Sequence, residues 1–154
     1  MRVDFYQLSR GPVERVVAML SSKVLDSGAR LLVVSDDEVQ RKAISKALWS
    51  GPAETFLANG MSGEPNAECQ PILLSADVIA GQDRSIAIIA DGNWRDGAEA
   101  FDRVLLMFDE TATQRARELW RSFDGKDDST KDVSEDVERH IFKQQPDGRW
   151  QEGG

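Results

Sequence analysis

Two aspartates, Asp36 and Asp37, follow the apolar run Leu31-Leu32-Val33-Val34 with only Ser35 between. Paired carboxylates at a strand end are what an α/β enzyme uses to hold Mg²⁺ beside a phosphate. They define the alternative reading of this chain, a small Mg-dependent phosphate- or nucleotide-utilising enzyme or a receiver-like domain. A receiver also needs a lysine at a later strand end, and none occurs between Lys46 and Lys126. Without it, the pair reads as negative charge complementing the positive end of a helix dipole. The single histidine, His140, has no acid or cysteine at triad spacing, and the single cysteine, Cys69, has no histidine to pair with. Neither G-x-G-x-x-G nor G-x-x-x-x-G-K-[ST] occurs, so no glycine-lined phosphate cradle is encoded. No catalytic residue, cofactor or metal is expected.

Binding chemistry is better represented. From about Glu110 to Phe123 the helical period groups Ala112, Ala116, Leu119, Trp120 and Phe123 on one apolar stripe. Beside it lie Thr113, Arg117 and Arg121, each one turn from the next, with Trp120 at the border. Residues 111–123 hold three arginines against Glu118, a local +2. A cationic strip edged by an aromatic suits a peptide with acids and an apolar terminus, although a solvated helix face has the same composition. A second aromatic feature is the run Ala47 to Phe56, where an amphipathic helix ends on Trp49, turns at Gly51-Pro52 and presents Phe56 just beyond. Trp49 could equally serve as a hot spot in a generic adaptor for some other acidic partner.

These residues need a scaffold. The 154 residues suffice for one domain. A formal charge of −8 and a pI of about 4.7 oppose wrapping of duplex DNA, whose affinity comes from lysine and arginine neutralising phosphates. One cysteine allows no internal disulfide. No window approaches the roughly 20 apolar residues of a membrane span, and no leader precedes Val3-Asp4-Phe5-Tyr6. The expectation is a soluble, cytoplasmic protein with no membrane contact. Strands are read at Val3 to Leu8, Leu31 to Val34, Ile86 to Ala90 and Val104 to Phe108, with a short one at Ile72-Leu73-Leu74. A helix runs from Pro12 towards Gly28, and a second, opened by the capping box Ser35-Asp36-Asp37-Glu38, turns Val39, Ala43, Ile44, Ala47 and Leu48 inward. The rest of 51–83 reads as loop. Alternating apolar strands and helices predict a Rossmann-like three-layer α/β domain, with a mostly parallel sheet and helices on both faces. The domain spans 1–123. Residues 124–138, with seven acids against Lys126 and Lys131, read as a mobile acidic linker, and 139–154 as a possible terminal hairpin of the same domain around Pro146-Asp147-Gly148.

The order of segments from Phe5-Tyr6-Gln7-Leu8 to Trp120, with the Ala47 to Phe56 run between, resembles the chi subunit family of bacterial DNA polymerase III. The match covers roughly the first 123 residues, and nothing carries over to the last thirty. Trp49 and Phe56 match the family's aromatic positions, Ala116-Arg117-Glu118 followed by Trp120-Arg121 its Ala-Arg-Glu run, and Phe108 an apolar wall position. Thr113 stands where the family has a lysine, and Trp120 where it has a tyrosine. The resemblance implies a non-catalytic accessory subunit of the polymerase III holoenzyme, linking the clamp-loader assembly to single-stranded-DNA-binding protein. That protein's acidic C-terminal tail would be held in a pocket between the Arg117 helix and the Trp49 to Phe56 segment. It also implies a second partner, the psi subunit of the clamp loader where one exists, and only indirect contact with DNA.

Overall fold

Alternation along the strands decides where the helices go. The computed structural model describes residues 1–9, 12–50, 57–79, 83–123, 137–147 and 149–153. In chain order these form β1 (Arg2–Gln7), α1 (Val13–Asp26), β2 (Arg30–Val34), α2 (Glu38–Trp49), β3 (Asn59–Met61), β4 (Ile72–Ser75), β5 (Arg84–Ile89), β6 (Arg103–Phe108), α3 (Thr113–Ser122), β7 (Glu138–Gln144) and β8 (Trp150–Glu152). Among the described residues the eight strands make one sheet in the order β3-β4-β2-β5-β6-β1-β7-β8. Every neighbouring pair is parallel except β7 with β8. Leu31, Val33, Ile72, Leu74, Ile88, Leu105 and Met107 face one side, where Val17, Leu20 and Val24 of α1 and Ile44 and Leu48 of α2 cover them. The intervening residues Val3, Phe5, Leu32, Val34, Leu73, Ile89, Val104 and Leu106 face the other side, under Ala112, Ala116 and Leu119. The result is the predicted three-layer α/β domain, apolar on both sheet faces as parallel strands require.

Four details differ from the sequence reading. Val39 is 75% exposed, because it falls in the first turn of α2 and off the stripe that Ile44 and Leu48 bury. The helix is capped by Asp37, whose carboxylate accepts from the amides of Val39 and Gln40 at 2.9 and 3.3 Å, while the Ser35 hydroxyl bonds the Gln40 side chain. Inside the stretch read as loop, β3 adds an edge to the sheet by pairing with β4. Of the acidic segment 124–138, residues 124–136 lie outside the described residues, and Glu138 opens β7.

β1 is an interior strand, hydrogen-bonded to β6 on one side and β7 on the other. Asp4 on it is fully buried, and its carboxylate accepts from Arg2 at 2.8 Å and Arg103 at 2.6 Å, so the buried charge is paired. β8 pairs Phe142 with Glu152 and Gln144 with Trp150. Phe142 stacks on Tyr6 at 4.9 Å and Trp150 meets the same ring edge-on at 5.2 Å, which docks both strands against the main core. No helix among the described residues is long and apolar enough to cross a membrane.

Candidate peptide-binding groove

The start of α3 is fixed before the helix begins. Asp109 leaves β6 extended, and its carboxylate accepts from the Thr111 amide at 2.9 Å and hydroxyl at 2.6 Å. The Thr111 hydroxyl, helped by backbone amides, holds that carboxyl below its ordinary value. A single 3-10 turn, Glu110–Ala112, then delivers the chain into α3. The small buried side chains of Ala112 and Ala116 let this helix lie close on the sheet. Thr113, Arg117 and Arg121 follow at four-residue spacing along one edge.

That edge forms one wall of a groove of about 370 Å³. Phe5 and Gln7 of β1 and Phe108 of β6 line its floor, which Ile141 and Lys143 of β7, in register with Phe5 and Gln7, extend along the sheet. Trp120 is contacted by two groups, its ring centroid 5.1 Å from that of Phe5 and 5.0 Å from the Arg139 guanidinium. Arg139 also donates to the Trp120 carbonyl at 2.7 Å. Arg117, Arg121 and Lys143 are exposed, and among the described residues no carboxylate comes within salt-bridge distance of any of them. Three unpaired cations around an aromatic floor, in a chain of net charge −8, make a local anion-attracting site for a ligand that also carries an apolar group.

Of the residues singled out from sequence, Phe108, Thr113, Arg117, Trp120 and Arg121 therefore converge on one groove. Trp49 does not join them. It ends α2, whose buried residues Ile44 and Leu48 belong to the opposite sheet face, and it is 47% exposed there. A single pocket between α3 and Trp49 is thus not the geometry, since the two helices lie on different sides of the sheet. Phe56 lies outside the described residues. The sequence reading missed Phe5, Ile141 and Lys143, because only the long-range pairing of β1 with β7 brings them to α3.

Asp36 and Asp37 open onto a separate crevice of about 700 Å³ at the ends of β1, β5 and β6. Asp37 is committed to its helix cap, and a resident cation already serves the other acids. Arg95 donates to both oxygens of Asp91 at 2.6 and 3.0 Å and lies 3.8 Å from Asp36. Burial alone would raise the Asp91 carboxyl, but these bonds and the amides of Asp36 and Asn93 hold it below its ordinary value. Among the described residues no three His, Cys, Asp or Glu side chains are grouped to hold a metal ion.

The family model described as DNA polymerase III chi subunit, HolC matches residues 1–129. The DNA polymerase III subunit chi of Escherichia coli (strain K12) is 28% identical over 114 residues, covering 72% of this chain and 78% of that protein.

Proposed function

The chain belongs to the DNA polymerase III chi subunit family, and from that premise we propose that it links the clamp-loader assembly to single-stranded-DNA-binding protein by holding that protein's acidic C-terminal tail. As a family member it is an accessory subunit in DNA replication. In this reading it performs no catalysis itself and works in the cytoplasm. The observation that carries the tail-binding reading is the groove with Arg117 and Arg121 on one wall and Phe108, Phe5 and Trp120 supplying apolar surface. Carboxylates along a tail meet the arginines, and a terminal ring enters between the aromatics. Thr113 adds a hydroxyl and no charge. Trp49, exposed on the far face, is left to a second partner, for which the psi subunit is the candidate. DNA is approached only through the protein that coats it.

Calorimetry with a synthetic peptide of several aspartates ending in Pro-Phe tests this. Binding of micromolar strength is expected, about −8 kcal/mol. It should weaken with salt, because exposed charges are screened over about 8 Å at physiological ionic strength. Absence of binding at low salt overturns the reading.

A further inference from the structure

The family match ends at residue 129, yet part of the groove's lining comes from residues beyond it. Arg139, Ile141 and Lys143 alternate along β7, so their side chains project from one face of the strand. Arg139 covers the Trp120 ring, while Ile141 and Lys143 line the groove. The backbone at Lys143 is not free to drift. It is in register with Gln7 of β1, itself a groove residue, and with Gln151 of β8 on its other side. Its ammonium is exposed and has no acid partner among the described residues.

We infer that Lys143 is a ligand-binding residue of the groove, supplying a cation from β7 where Arg117 and Arg121 supply theirs from α3. The inference rests on the tail-binding reading and deepens it: residues of β7 complete the site. An acidic segment lying along the groove meets positive charge from two elements, with the two arginines on the helix and the lysine on the sheet. Charges placed on two elements favour a ligand lying along the groove between them over one lying on the helix surface alone. A groove confined to residues 1–123 would lack this part of its lining.

The test titrates the aspartate-rich, Pro-Phe-ended peptide into the full chain and into its Lys143→Ala, Lys143→Glu, Lys143→Arg and Arg117→Ala variants, over a range of salt concentrations. Lys143→Ala should weaken binding about threefold to fivefold, the range of an exposed ion pair. Lys143→Glu should weaken it further, to roughly tenfold or more, because it places like charge against the ligand. Lys143→Arg should retain affinity. The salt dependence of Lys143→Ala should be shallower than that of the unaltered protein, and melting temperatures should not move. Unchanged affinity and salt dependence in Lys143→Glu, with Arg117→Ala still losing affinity, overturns the role of Lys143 and leaves the tail reading standing. Equal loss in Lys143→Arg would assign the effect to packing and also overturn it. If the unaltered protein does not bind the peptide, the tail reading itself fails and this inference with it.

Discussion

Arg117 and Arg84 carry the same guanidinium in opposite circumstances. Arg117 is exposed on α3 with no acid at salt-bridge distance among the described residues, so its charge is available to a ligand. Arg117→Ala should therefore remove about 1.5–3 kcal/mol of acidic-tail binding, the worth of a charge-assisted hydrogen bond. Thermal melting should be unchanged; a fall in melting temperature with affinity intact would make it a structural residue instead. Arg84 is buried at the start of β5, where it donates to the carbonyls of Leu31, Pro71, Glu68 and Gln70 at 2.8–3.2 Å. Burial, with Arg30 nearby, pulls its pKa down to about 10, which leaves it charged at neutral pH. Arg84→Met removes four donated bonds, although Glu68 and Gln70 keep Arg30 as a donor and Pro71 keeps the Leu31 amide, and should cost about 1–3 kcal/mol by chemical denaturation, with tail binding per folded molecule unaffected. The placement of Arg117 between Thr113 and Arg121 was legible because four-residue spacing on a helix is local. That of Arg84 was not, since its acceptors lie on two other segments that sequence spacing does not bring together.

At the scale of elements, β7 and β8 are joined by a charged clamp. His140 bonds Glu138 through Nε2 at 2.7 Å and Glu152 through Nδ1 at 2.6 Å, an arrangement that asks both ring nitrogens to donate. Glu138 and then Glu152 raise the imidazole above its ordinary 6.5, with Asp4 adding to the rise and Arg2 opposing it. A raised folded value contributes stability that is fully present below pH 6.5 and lost as pH climbs through the folded pKa. The Glu138 carboxyl, lowered mainly by His140, contributes above its ordinary 4.5 and loses that contribution as pH falls through its depressed value. His140→Gln should accordingly destabilise the protein more at about pH 6 than at about pH 9. Urea midpoints measured across that range check it, and a constant difference would show that the clamp contributes nothing. α2 illustrates the limit of local reading. Its acidic start was correctly seen as a helix signal, but the cap falls on Asp37, two residues after the Ser35 of the expected capping box, and Val39 points outward.

For the whole molecule, net charge and partner choice combine. A chain of −8 with three cations lining one short groove should bind bare single-stranded DNA poorly at physiological salt. In an anisotropy assay it should join DNA when full-length single-stranded-DNA-binding protein is present, and leave when that protein's tail is deleted. Equal recruitment by the tailless form would mean the bridge is made elsewhere. The strands could be read from their apolar runs because a sheet covered on both faces needs them. Their spatial order could not, and neither could the face each helix takes, which is why Trp49 and α3 were placed together and lie apart. The position of β1 has a consequence for how the protein is made. This strand is flanked by strands synthesised well over ninety residues after it, at Arg103–Phe108 and Glu138–Gln144. Its pairing waits for nearly the whole chain, as for any sheet dominated by distant contacts. A nascent chain stalled before β7 would carry Arg117 and Trp120 but lack Ile141 and Lys143, so the groove's lining is finished only when β7 has been made.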